Sequence, residues 1–323
     1  MSTFPGDRTL RIGTRSSPMA LVQATAVAGL LRKEQPGIRV ELTPVTTQAD
    51  QWQGDLAQLG GKGLFVKQID AMVQGGAVDM AVHCMKDVPG DTPVPQGLVF
   101  AAYLARDDVR DVLVFPEGSD FRRLGDLPPG AAVATSAVRR KAQVKRVRPD
   151  LEVVRMRGAV GTRIDKLDGR RESGTAADAM ILATSGLERL GLSHRGRQVF
   201  SVEELLPAVG AGVLGLECRE EDGPVAALLA RLNHGRTMAE VTAERAMLHG
   251  LQGHCNSPVA GYCTTGQDGR LSLRGMVFSQ DGSQLVEAYA QDLTGEDPAG
   301  LGARVCAELL RQGAAEIIEG IPH

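Results

Sequence analysis

At 323 residues the chain is longer than one compact core requires, so two or three domains are expected. Its 43% apolar and 23% charged residues are those of a globular protein. A net charge of −3 argues against a broad polyanion-binding surface, and 3% aromatic residues argue against a base-stacking platform, so no nucleic-acid partner is expected.

In chain order, residues 10–13 form a short strand, and Ser17 followed by Pro18 opens a helix as N-cap and first helical residue. Ile38, Val40 and Leu42 alternate as a strand; residues 64–73 read as a helix and 78–83 as a strand. This β–α alternation predicts a largely parallel sheet covered by helices. The charged segment 106–111 marks a crossing between domains. A second series follows, with strands at 111–115, 131–134, 151–154 and 178–183, and helices starting near Ser136, after Gly158 and near Ser185. The small-residue stretch 207–213 is a second crossing. The remainder changes order: a helix over 238–248, strands at 259–263, 271–278 and 285–290 separated by Gly-containing turns, and a last helix from Pro298 to Leu310 capped by Asp297.

No apolar run reaches the length of a membrane-spanning helix, and residues 1–11 lack the apolar stretch of a signal peptide. Five scattered cysteines with no C-x-x-C fit a reducing compartment, so a cytoplasmic protein with no membrane partner is expected. Cys84 and Cys218 sit in apolar, strand-like contexts and read as packed thiols. Cys255 lies in Leu251-Gln-Gly-His-Cys-Asn-Ser-Pro258, a loop composition, beside the potential cation His254. A metal site from His249, His254, Cys255 and Cys263 matches no familiar zinc spacing, so no metal is expected.

Between Thr135 and Arg171 stand twelve basic residues against four acidic ones. Arg139, Arg140, Arg157 and Arg163 fall at strand-to-helix junctions, where unpaired helix N–H groups and the carboxyl ends of strands both favour an anionic ligand. Arg146, Arg148, Arg170 and Arg171 read as a solvated face. The pair Lys86-Asp87 ends the apolar strand Met80-Ala-Val-His-Cys; a carboxylate there can face a cationic intermediate or simply pair with Lys86. Gly60-Gly-Lys-Gly-Leu-Phe-Val-Lys67 lacks the spacing of a nucleotide-binding loop.

Taken together these segments resemble the porphobilinogen deaminase family. The matching motifs are Arg15-Ser-Ser-Pro-Met-Ala-Leu, Gly60-Gly-Lys-Gly-Leu-Phe-Val-Lys, His83-Cys-Met-Lys-Asp-Val-Pro, Thr135-Ser-Ala-Val-Arg-Arg, Arg157-Gly-Ala-Val-Gly-Thr-Arg163, Leu187-Glu-Arg-Leu-Gly and Glu217-Cys-Arg, running in one order from about residue 9 to near the C-terminus. The resemblance implies an α/β fold: two periplasmic-binding-protein-like α/β domains with a central cleft, plus a small α+β C-terminal domain. The implied boundaries are 1–105 with 212–233, 106–211, and 234–323. It implies a monomeric transferase, hydroxymethylbilane synthase, whose partner is the small molecule porphobilinogen. Four porphobilinogen units add head to tail to a dipyrromethane cofactor attached covalently through Cys255, each releasing ammonia, and water then releases the linear tetrapyrrole. By the same resemblance Lys86 and Asp87 are catalytic and touch the cofactor, with Asp87 stabilising positive charge on the pyrrole nitrogens. Thr135, Ser136, Arg139 and Arg140 hold the cofactor. Arg15, Ser17, Gln23, Lys62, Arg157, Arg163 and Arg189 take the incoming substrate. The chain departs from the family pattern at Gln58 (often lysine), Ala137 (usually serine), Ala159 (asparagine), Ala211 (glutamine) and His254 (glycine). A non-catalytic two-lobed anion-binding protein is the alternative expectation.

Overall fold

The computed structural model describes residues 4–5, 8–47, 66–172, 176–253, 257–292 and 297–319. Three sheets organise them. The first contains β1 (Thr9–Arg15), β2 (Arg39–Val45), β3 (Met80–Cys84), β4 (Leu98–Tyr103) and β10 (Leu214–Arg219), in the order β2-β1-β3-β10-β4. The second contains β5 (Asp111–Val114), β6 (Ala132–Ala134), β7 (Glu152–Val154), β8 (Ala179–Ala183) and β9 (Gly196–Val199), in the order β7-β6-β8-β5-β9. Each sheet has a parallel core of three strands, with the first strand of its series in the middle and one antiparallel strand inserted beside the third. In the first sheet that inserted strand, β10, arrives after the whole second sheet has been made. The chain therefore crosses between the two lobes twice.

The helices explain why the sheets face as they do. In α1 (Pro18–Glu34) Ser17 Oγ accepts the Ala20 N–H at 3.3 Å, Pro18 occupies the first turn, and the buried residues Gln23, Ala24, Val27, Ala28 and Leu31 recur at helical spacing against the first sheet. The other helices are α2 (Lys67–Gln74), α3 (Val138–Val147), α4 (Val160–Leu167), α5 (Thr184–Arg189), α6 (Gly223–Ala230), α7 (Gly235–Gly250), α8 (Pro298–Arg311) and α9 (Ala314–Glu319). The third sheet is an antiparallel meander of β11 (Val259–Thr265), β12 (Leu271–Phe278) and β13 (Leu285–Gln291), packed on α7 and α8 around its own apolar cluster. Asp297 caps α8, accepting the Gly300 N–H at 2.8 Å.

Several boundaries differ from the sequence reading. β1 runs through to Arg15 instead of ending at Gly13, because every residue from Thr9 to Arg15 pairs in parallel with β2. The helix expected near Ser136 starts at Val138, with Ser136 turned away to donate to the Met156 carbonyl at 2.8 Å. β4 and β9 are strands that local periodicity does not assign, and β10 is the strand behind the apolar, strand-like context of Cys218.

Candidate active site

β3 ends in a single 3-10 turn, Met85–Asp87, that carries Lys86 and Asp87 out from the carboxyl end of the first sheet. The turn is fixed from two sides. The Met85 N–H donates to the Val213 carbonyl at 3.0 Å. Gly210, at φ +72°, lies so close that a Cβ there would sit 2.9 Å from the Met85 backbone and 3.0 Å from the Lys86 nitrogen. The second crossing is thus a glycine because it is pressed against the peptide that presents Lys86.

Opposite, in the second lobe, α3 brings Arg139 and Arg140 into the interior, where both meet Asp111 at the start of β5. Arg139 donates to Asp111 Oδ2 at 2.8 Å and to the Leu206 carbonyl at 2.6 Å; Arg140 donates to Asp111 Oδ1 at 2.7 Å and to the Ile181 carbonyl at 3.2 Å. Burial pushes the Asp111 carboxyl up, but the two guanidiniums outweigh it and hold it well below the usual carboxylate range. Two cations share one anion, so one positive charge remains, and Arg140 Nε is buried with no hydrogen-bond partner among the described residues.

Lys86, Asp87, Arg139 and Arg140 line one cleft of about 200 Å³, together with Ala211 of the second crossing and Ser257 from the third unit. Around it stand further sequence candidates. Thr135 is buried and accepts the Ala137 N–H at 3.2 Å. Ala137 and Ala159 are the N-caps of α3 and α4, and neither supplies a side-chain cap. Arg163, on α4, is lowered to about 10 by burial and then by the charge of Arg140, and its Nε is likewise without a partner among the described residues. Arg15 ends β1, Ser17 caps α1 and Gln23 lies on it, and α1 meets α5 across the cleft. Arg157 follows β7. Of these, Ala137 walls the 200 Å³ space itself, while Thr135, Ala159, Arg163, Arg15, Ser17, Gln23 and Arg157 do not. Arg189 is engaged elsewhere: it donates to Asp107 Oδ2 at 2.9 and 2.5 Å and reaches the Gly212 carbonyl at 3.5 Å, tying α5 to both crossings. Gln58, Lys62, His254 and Cys255 lie outside the described residues.

The four described cysteines are poor nucleophiles. Burial raises all of them, Cys218 to about 11, and Cys218, Cys263 and Cys306 are enclosed while Cys84 is half-buried at the end of β3. The basic run is also less available than its count implied. Arg148 pairs with Asp150, Arg170 with Glu117 and Arg171 with Asp165.

The sequence reading missed the two carboxylates that organise this region. Asp111 is one. The other is Glu244 on α7, fully enclosed, which accepts from Arg106 at 2.8 Å, from the Gly210 N–H at 2.7 Å and from the Cys263 N–H at 2.8 Å. One side chain therefore fastens both crossings and the third sheet together. The same helix grips the segment after Asp87: Arg245 donates to the Val88 and Pro89 carbonyls, and His249 Nδ1 lies 2.9 Å from the Gly90 carbonyl oxygen. No local pattern announces Glu244, since its partners lie 138, 34 and 19 residues away.

A cleft between two like α/β lobes, walled by enclosed arginines and a Lys–Asp pair and bordered by a third α+β unit, is that of a two-lobed protein suited to an anionic ligand. Residues 10–227 match the porphobilinogen deaminase dipyromethane cofactor binding domain, and residues 238–311 match the porphobilinogen deaminase C-terminal domain. Porphobilinogen deaminase 2 of Streptomyces coelicolor is 49% identical over 315 residues, covering 97% of each chain. The chain belongs to the porphobilinogen deaminase family; it is a transferase and carries that family's dipyrromethane-cofactor-binding domain. Among solved structures it is similar to a nutrient binding protein from Burkholderia cenocepacia bound to methionine (15% identity, 68% of this chain and 90% of that one, TM-score 0.42). It is also similar to an ancestral cationic amino acid solute binding protein (17% identity, 69% and 87%, TM-score 0.40). The two matched domains together do not favour the non-catalytic alternative. Among the described residues no helix is long and apolar enough to cross a membrane.

Proposed function

We propose that this chain makes hydroxymethylbilane by adding four porphobilinogen units, one at a time, to a dipyrromethane primer held through a thioether at Cys255. The observation that carries the reading is the cleft that gathers Lys86, Asp87, Arg139, Arg140 and Ser257 from three separate units. Cys255 lies two residues before Ser257, and burial raises each of the four other thiols. The residues fit the group. Its carboxylates need donors only, and the cleft offers two enclosed guanidiniums sharing one counter-ion, with Arg140 Nε still to be satisfied. Each charge-assisted contact there is worth about 1.5–3 kcal/mol. When bound, the primer would supply the pyrrole carbon to which the first unit is joined, each later unit joining the pyrrole added before it.

In this reading Arg139 and Arg140, with Thr135 and Ser136, orient the primer carboxylates, and Lys86 adds a further cation. Arg15, Ser17, Gln23, Lys62, Arg157, Arg163 and Arg189 receive the acetate and propionate of incoming porphobilinogen. Asp87 holds a carboxylate opposite the positive charge that develops on the substrate pyrrole as ammonia leaves, an interaction strongest in the transition state. The domain limits 1–105 with 212–233, 106–211 and 234–323 belong to the same reading and are supported by the three sheets. So do a cytoplasmic setting, a monomeric state and porphobilinogen as the sole small-molecule partner. The test is Asp87→Ala. Turnover, followed as ammonia release, is expected to fall by about a thousandfold or more, with porphobilinogen binding within about fivefold. Equal losses in both would contradict the role.

A further inference from the structure

Behind the Lys–Asp turn lies a polar cluster that the reaction as described does not use. Asp70 projects from the first turn of α2, His83 from β3 and Glu217 from β10; they are 6%, 4% and 2% exposed. His83 Nε2 lies 3.1 Å from Glu217 Oε2 and 3.7 Å from Asp70 Oδ1, and the three groups approach within 4.8 Å of one another. The far side is apolar: the Phe100 ring meets His83 edge-on at 5.8 Å and stacks on Tyr103.

The donor count does not close with these groups in their ordinary states. Two carboxylates only accept, and a neutral imidazole offers one N–H, which the geometry gives to Glu217. Asp70 Oδ1 is left buried with no hydrogen-bond partner among the described residues. Two negative charges would also share a dry space. No outside cation answers them among the described residues packed against the cluster. Arg219, two residues beyond Glu217, donates to the Val73 and Val78 carbonyls and to Asp222. Arg8 and Arg11 are committed to Asp79. One added proton resolves both problems, giving Asp70 a donor and removing one charge. Burial, and then Glu217, push the Asp70 carboxyl up to about 7, which agrees with the count.

The cluster is joined directly to the active turn. β3 continues unbroken from His83 into Met85–Asp87, so His83 precedes Lys86 by three residues and Asp87 by four. β10, which holds Glu217, pairs with β3 along its length, and α2 packs on both strands. Repulsion within the cluster would therefore act on the strand end that carries the Lys–Asp pair. We propose that Asp70, His83 and Glu217 share one proton and act as positioning residues for Lys86 and Asp87. The turnover part of this inference rests on the deaminase reading; the shared proton does not.

The experiment compares the full-length protein with Asp70→Asn, which keeps a neutral donor, and Asp70→Ala, which does not. Infrared spectra of the wild type should show a protonated carboxylic acid C=O band that vanishes as pH rises and is absent from Asp70→Asn. A carboxyl raised on folding contributes stability at low pH that is lost as pH climbs through its folded value. The wild-type melting temperature should therefore fall relative to that of Asp70→Asn from about pH 4 to about pH 7 and run parallel to it above about pH 8. In turnover, Asp70→Ala should lose about tenfold in kcat with KM within about twofold, and Asp70→Asn should recover most of that loss. Three results would overturn the proposal: no titrating acid band; parallel melting curves; or Asp70→Asn as impaired as Asp70→Ala. Binding of one equivalent of zinc by the wild type but not by His83→Ala would also overturn it, since a cation and not a proton would then balance the charges.

Discussion

Asp111 and Glu244 are both enclosed carboxylates paired with arginine where lobes meet, yet they are balanced differently. Asp111 faces two guanidiniums, so its corner of the cleft keeps a spare positive charge and an unpaired Arg140 Nε. Glu244 faces one guanidinium and two backbone N–H groups, and its charge is fully answered inside the protein. The first arrangement leaves something for an anionic ligand to complete. The second leaves nothing and serves as a fastening. Enclosed ion pairs of similar appearance thus divide into ligand-directed and architectural ones according to whether the donors are exhausted, not according to how deep they lie.

That contrast can be broken by mutation. The largest effect is expected at Asp111. Removing it leaves two buried cations facing each other, and Asp111→Ala should cost about 3–5 kcal/mol of stability, read by urea unfolding. Added polyanionic ligand should restore part of that loss. The acid limb gives an independent reading. A carboxyl depressed on folding stabilises above its unfolded value, near about pH 4, and that contribution disappears as pH falls through the folded value. Asp111→Asn should therefore show a shallower loss of stability below about pH 4 than the wild type, by thermal melts across acid pH.

At the fastening the expected response differs in kind. Glu244→Gln keeps the shape but leaves Arg106 only its longer pair with Glu240, at 3.5 Å, and should cost about 2–4 kcal/mol, with no recovery on adding polyanion. If polyanion rescues both variants equally, the distinction between the two nodes is wrong. Gly210→Ala should act through the backbone, since the residue sits at positive φ against Met85 and Lys86. A cost of about 1–3 kcal/mol with a larger fall in kcat than in binding is expected from melting and steady-state kinetics. The smallest effect belongs to Ala137→Ser. A side-chain cap for α3 should add about 1 kcal/mol to the unfolding free energy measured in urea.

Much of this was legible locally. Ser17 with Pro18 and Asp297 with Pro298 mark helix starts because a cap bonds within three residues. The run from Met80 to Asp87 reads as strand then turn because its apolar stretch stops at Lys86. The rest depends on pairings over long stretches of chain. β10 is a strand because β3 and β4 flank it, and Glu217 meets His83 across 134 residues. Arg139 and Arg140 were expected as open anion-binding groups; counting charges only from Thr135 to Arg171 could not reveal that Asp111 closes on them from the first crossing.

The proposed reaction requires a dipyrromethane primer tethered at Cys255. Intact-protein mass spectrometry tests it most directly. The account expects a species heavier than the 34.2 kDa chain by one dipyrromethane, and a Cys255→Ser protein at the bare chain mass. A folded, unmodified wild type that leaves porphobilinogen untouched, or an increment that survives Cys255→Ser, would contradict it.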